Sequence, residues 1–238
     1  MEKQQITDNE IVRHKKNAIK CLNNLFETFI NSSNPKHKKK ANLIAYWIEA
    51  YSTYLIKEER FDYSSIPKFK RGDVILINFG FNIGSEHGGL HYAIVLDNDN
   101  KQSSPVITVI PLSSGDQESV HDRDVFLGNE LYDKLKNKYN KLITDTEVEL
   151  PNAAALEVYA KEISKLKTGS IALMEQITTV SKMRIYKPKT SSDLLHGIKF
   201  SNDVMDKINE RLKELYVYSK KGWQILYGIL GYTYKVHV

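Results

Sequence analysis

The chain has 238 residues, 41% hydrophobic and 26% charged, with a formal charge of +5 and a pI near 9.0. That content suffices for one sizeable core, or a compact domain with a helical appendage, while the basic excess is too mild to establish nucleic-acid binding by itself. It also points away from a membrane-spanning chain: the most apolar late run, 223–232, is broken by Gly228 and Gly231 and falls short of the about 20 residues a bilayer requires.

Residues 1–10 are polar and carry no basic-then-apolar leader, so a reducing, cytoplasmic location is the default expectation. Cys21 is the single cysteine, which excludes an intramolecular disulfide. Its place on an apolar helical stripe favours a buried thiol over a nucleophile. Residues 1–60 hold 11 Lys or Arg against 7 Asp or Glu, so most of the positive excess lies in the first quarter. The densest run, Lys36, His37, Lys38, Lys39 and Lys40, reads as a solvated turn between helices, with a phosphate-contacting patch as the competing reading.

In chain order, Thr7 with Glu10 forms a capping-box pattern that starts a helix carrying Val12, Ile19, Leu22, Phe26 and Phe29 at helical spacing. The polar stretch from Asn31 to Pro35 ends it. A second helix carries Leu43, Ile44, Trp47, Ile48, Tyr51 and Leu55 on one stripe, giving a helical hairpin over 1–63. Each helix has a face that needs a partner, and the pattern does not choose between the other helix, the following domain and another subunit.

From Phe69 the pattern changes to short β runs, with strands expected at 73–79, 92–97, 106–111, 124–127, 170–176 and 178–181 and a turn at 98–104. The first strand is apolar on both faces, through Val74 and Leu76 on one and Ile75, Ile77 and Phe79 on the other. It runs into a glycine-punctuated loop, Gly84, Ser85, Glu86, His87, Gly88, Gly89, where a ligand can approach the backbone closely. Closely spaced strands suggest a barrel or strongly curled sheet. Helical composition at 129–139 and 153–165 interrupts the β pattern as an insertion spanning about 116–168. A last helix over 202–218 has Ser201 as N-cap and Val204, Ile208, Leu212 and Leu215 on one side. An aromatic tail at 221–238 ends in an alternating run that suggests an added strand or a partner-covered surface.

Five ordered blocks carry a resemblance. They are Lys70-Arg71-Gly72-Asp73-Val74, the loop Gly84 to Gly89, Ala93-Ile94-Val95-Leu96-Asp97-Asn98, Ser104-Pro105 before an apolar strand, and the late stretch from Ser170 through Glu175-Gln176-Ile177 to Thr179. Lys182 and Arg184 follow, and Asn202 opens the helix. Together these residues resemble the MazF/PemK family of toxin endoribonucleases. The resemblance implies an α+β fold, a small SH3-like or CcdB-like β-barrel with a C-terminal helix over 64–220. It implies a homodimer that binds a protein antitoxin and cleaves single-stranded RNA with no cofactor. In that family the 2′-hydroxyl attacks the adjacent phosphate, leaving a cyclic phosphate and a 5′-hydroxyl.

By the same resemblance the family's catalytic Arg, followed by Pro, stands two positions after the Gly-Gly pair, where this chain has His91 and Tyr92. An imidazole can take or give a proton near neutral pH but lacks the fixed bidentate charge of arginine. The family's catalytic Thr corresponds to Ser113, a conservative change that keeps a hydroxyl donor, with Ser114 as the rival if the register slips by one. Glu86 matches a family glutamate and completes the expected catalytic set, and His87 replaces a glutamine. Glu86, His87 and His91 have three readings: a metal cluster, a two-histidine acid/base pair, or loop hydrogen bonding with His87 exposed. Phe81, Ser85, His87, Gln176, Thr178, Lys182 and Arg184 are the expected RNA contacts, Phe81 by stacking and the basic pair by phosphate. The alternative, motivated by the missing arginine, is a non-catalytic binding protein on the same fold that acts on RNA or on a protein such as a topoisomerase. In either case the two helices before Phe61 are expected to serve as a built-in regulator covering the groove, a dimerisation element or a docking surface for a separate antitoxin.

Overall fold

The structure is a computed structural model and describes residues 6–144 and 153–217. The expected tail at 221–238 lies outside them. Chain contacts divide the molecule into two units, the second beginning at Arg60.

The first unit is helical. Helix α1 (Asp8–Ile30) starts at Thr7, whose hydroxyl accepts the Glu10 amide while the Glu10 carboxylate accepts the Thr7 amide at 2.9 Å. Helix α2 (Pro35–Lys57) has Asn34 as N-cap, its side chain accepting the Lys36 amide at 3.0 Å, and Pro35 in the first turn. The basic run 36–40 therefore forms the opening turns of α2 rather than a linker, because Asn-Pro starts a helix as readily as it ends one. The two helices meet at Phe29 and His37, ring centroids 5.2 Å apart, beside buried Ala41 and Ile44. Val12, Ile19, Leu43, Tyr51 and Leu55 are exposed, as is Cys21. The expectation of a buried thiol is corrected: a two-helix unit has too little interior to cover a whole stripe.

The second unit mixes helices with antiparallel sheet. Strand β1 (Phe69–Lys70) pairs with β4 (Asp99–Asn100), inside the stretch expected to be only a turn. The main sheet contains β2 (Val74–Asn78), β3 (Leu90–Val95), β5 (Val106–Ser114), β6 (Val125–Phe126), β7 (Ser170–Ala172), β8 (Thr178–Ser181) and β9 (Ile185–Lys187). Its strand order is β6-β7-β5-β3-β2-β9, with β8 paired to β5. The long β5 accepts β8 along its first half and β7 along its second. A 3-10 turn at Lys182–Arg184 joins β8 to β9, so the two ends of the path β8-β5-β3-β2-β9 are adjacent in the chain. Among the described residues no ladder joins them. The α+β expectation holds as a mix of helices and antiparallel sheet, and among the described residues no closed barrel forms. The expected strand at 170–176 stops at Ala172, where Met174–Gln176 turn as a 3-10 helix.

Both faces of this sheet are buried. Ile75, Ile77, Phe79, Ala93, Val95, Ile107, Val109, Val180 and Ile185 form one core inside the curl. Val74, Leu76, Ile94, Ile110 and Leu112 face a second core, covered by α3 (Glu130–Thr144), α4 (Ala153–Ser164) and α5 (Asn202–Leu212) through Leu131, Leu135, Ile163, Val204 and Ile208. Full burial of each such aliphatic chain contributes roughly 1.5–3 kcal/mol, which is why a strand with no polar face is stable here. Ser201 caps α5, accepting the Val204 amide at 3.4 Å. The helix continues as a π-helical turn at Lys213–Val217, and the Tyr216 hydroxyl donates to the Met174 carbonyl at 2.7 Å.

Candidate active site

The glycine loop is an irregular continuation of the β2–β3 ladder. The Phe79 amide donates to Gly89 and the Gly89 amide to Gly80, both at 2.7 Å. A Cβ on Gly88 would lie 2.8 Å from the Gly80 carbonyl, and Gly89 has φ +89° with the His91 ring folded against it. The Gly-Gly pair is thus required by close approach at one residue and by left-handed backbone at the next. Asn82, a residue the sequence reading passed over, spans the loop by donating to the carbonyls of His87 (2.7 Å) and Phe79 (3.3 Å). An Asn inside a glycine-rich loop was its only local signal.

Gln176 closes the loop from outside. Its side-chain oxygen accepts the His87 amide at 3.0 Å and its amide group donates to the Ser85 carbonyl at 3.2 Å. The 3-10 turn that presents Gln176 is pinned by Asp124, which accepts the Met174 amide at 2.9 Å, and by an Arg123–Glu175 ion pair at 2.8 Å. In this structure Gln176 therefore positions the loop, with its amide already engaged on both sides.

The two histidines meet face to tilted face, ring centroids 4.2 Å apart, with Phe79 edge-on to His87 at 5.4 Å. The Nε2 of His87 is buried and has no hydrogen-bond partner in the described structure. Burial, reinforced by the neighbouring His91, pushes the His87 pKa down to about 4. Burial also lowers that of His91, against hydrogen bonding to the backbone of Gly88 and Leu112. Both imidazoles are consequently neutral at pH 7, the form in which a histidine accepts a proton. His87 is half-buried rather than exposed. Glu86 is exposed and turns back toward the Ile83 amide at 3.4 Å, away from a metal-cluster role. Among the described residues no group of three or more His, Cys, Asp or Glu is placed to hold a metal ion.

The histidine pair separates two depressions. One, of about 270 Å³, is lined by His91, Ser113, Ser114, Tyr92, Glu162 and Lys165 among others. The sheet register explains the pairing of His91 with Ser113. Strands β3 and β5 pair Ala93 with Pro111 and then part; continued beyond that point, the register sets His91 across from Ser113. Among the described residues the Ser113 hydroxyl has only a long contact, 3.5 Å to the Ser114 carbonyl, which leaves it open to a ligand. Burial and the nearby Glu162 raise the pKa of the Tyr92 phenol, which stays protonated. Glu162 and Lys165 come from α4 and the turn after it, and no sequence motif had linked that insertion to the site.

The second depression, of about 380 Å³, collects Glu86, His87, Gln176, Thr178 and Arg184. Arg184 lines it while donating to the carbonyls of Asn78 (2.8 Å) and Phe79, so its guanidinium also braces the end of β2. Phe81 is half-buried and Ser85 exposed in the loop. Lys182 is corrected: it is fully buried, and its ammonium donates to the carbonyls of Lys101 (2.8 Å) and Gln102 (3.1 Å). That ammonium is spent on backbone oxygens rather than offered to a phosphate.

The fold is that of an α+β protein with an antiparallel sheet buried on both faces, and His91, Ser113 and Ser114 line one of its cavities. Residues 70–216 match the model of the PemK-like, MazF-like toxin of type II toxin–antitoxin systems. The chain belongs to this family, whose members are typically RNA-cleaving toxins controlled by an antitoxin. No protein among the curated ones matches it. No helix among the described residues is long and apolar enough to cross a membrane.

Proposed function

We propose that the chain is a metal-independent endoribonuclease that cuts single-stranded RNA at the cavity shared by His91 and Ser113. Neutral His91 takes the proton of a ribose 2′-hydroxyl, whose oxygen bonds to the adjacent phosphorus. The bond from phosphorus to the 5′-oxygen breaks, that oxygen takes a proton from water, and the products are a cyclic phosphate and a 5′-hydroxyl end. Ser113 donates to a non-bridging phosphate oxygen. The second depression holds the flanking nucleotides, with Phe81, Ser85, Thr178 and Arg184 at its surface and Glu86 at its edge. His87 and Gln176 support this path by shaping the loop.

The observation that carries the reading is the joint placement of His91 and Ser113, which are 22 positions apart, on one cavity. The partners that follow are a protein antitoxin and a second copy of the chain. To test it, purified protein is incubated with mixed RNA and the new ends are mapped. Wild type yields 5′-hydroxyl ends, and His91→Ala loses about 10²–10⁴-fold in rate, the usual contribution of a positioned acid or base. Equal cleavage by both proteins removes His91 from the mechanism. Intact RNA with wild type leaves the non-catalytic binding reading.

A further inference from the structure

In-line attack on a phosphodiester builds negative charge on the non-bridging oxygens, and a site whose one cation is the imidazolium formed at His91 as the proton moves leaves that charge without a fixed one. Arg184 lies on the second depression and Lys182 is buried on carbonyls, so neither supplies it. The cavity that holds His91 and Ser113 has one formally cationic lining residue, Lys165.

Three observations make Lys165 suitable. Its backbone is held, since the Lys165 amide donates to the Glu162 carbonyl at 3.2 Å and the Leu166 amide to Ile163 at 3.0 Å. Ile163 and Leu166, on either side, are buried in the helix-covered core. Its side chain is exposed, and among the described residues no ion pair or hydrogen bond engages its ammonium. The acidic neighbour that would otherwise compete, Glu162, faces Lys187 at 3.7 Å, and Lys187 also lies over the Tyr159 ring at 4.6 Å.

We infer that Lys165, delivered by the helical insertion, contacts the scissile phosphate and stabilises its charge in the transition state. The inference rests on the endoribonuclease reading and adds to it a catalytic cation contributed by an element outside the sheet. A lysine serves as a point charge, without the fork geometry of arginine, and needs only a rigid base and a short reach.

The test uses full-length protein, an RNA oligonucleotide containing a cleavage site mapped with wild type, and the same oligonucleotide with 2′-deoxyribose at that site. Single-turnover cleavage and binding of the deoxy analogue are measured for wild type, Lys165→Met and Lys165→Arg. The expected result is a rate about 10²-fold lower in Lys165→Met, unchanged binding of the analogue, and partial recovery in Lys165→Arg. An unchanged rate, a loss matched by equally weakened binding, or no recovery with arginine overturns the inference while the nuclease reading stands. If wild type itself leaves the RNA intact, the nuclease reading fails and this role falls with it.

Discussion

Replacing His87 by glutamine removes one half-buried ring from the histidine pair and with it a pH dependence of folding. The His87 pKa is pushed down to about 4 in the folded chain by burial and then by His91, whereas an unfolded histidine titrates near 6.5. Between those values the unfolded chain binds more protons, so the contribution of His87 to stability is complete above about pH 6.5 and is lost as pH falls toward 4. Applied in full, the difference amounts to about 2.4 kcal/mol between pH 7 and pH 4.5; half-burial of the ring reduces it to about 1 kcal/mol. Protonation would also set a charge against the His91 ring, 4.2 Å away between centroids. Burial also raises the carboxyl pKa values of Asp73 and Asp124, but both groups are common to the two proteins and cancel in the comparison. Urea unfolding at several pH values should therefore show wild type losing about 1 kcal/mol more than His87→Gln on acidification, at equal m-values. Parallel pH profiles would refute the reasoning and would mean that solvent reaches the His87 ring freely.

Gly88→Ala places a Cβ 2.8 Å from the Gly80 carbonyl; Gly88 is not in the left-handed region, so the clash is the sole cost, about 1–3 kcal/mol by urea unfolding, and a loss under about 0.5 kcal/mol would count against the close approach. Gln176→Ala frees the His87 amide and the Ser85 carbonyl; hydrogen exchange at the His87 amide should quicken about tenfold, for a loss of about 1.4 kcal/mol, and unchanged exchange would show that the loop does not need its latch.

Much of the second unit follows from local rules. The buried strand over Val74–Asn78 was legible because Val, Ile and Leu occupy both parities. The first helix was legible from Thr7 and Glu10, and the last from Ser201. Strand β9 was missed because only three residues pair after the 3-10 turn. The short β4 was missed because its Asp-Asn pair favours turns and is held only by β1. Among candidate site residues, His91 and Ser113 were named through the family resemblance, and the Gly-Gly pair through its place in the loop. Whether each was available could not be read that way. Lys182 and Arg184 are alike on paper, yet one is fully buried on two carbonyls and the other lines a depression.

The sequence by itself determined the helical start, the change to β pattern at Phe69, the doubly apolar strand, the glycine loop and the family's ordered blocks. Those features depend on a residue's type and its near neighbours. Tertiary structure decided which strands pair. It also decided that Gln176 latches the loop, that two histidines share one buried contact, and that Lys165 from the insertion reaches the cavity of His91 and Ser113. Each of these depends on distance and burial between residues far apart in the chain, and no periodicity or spacing along the chain encodes those two quantities.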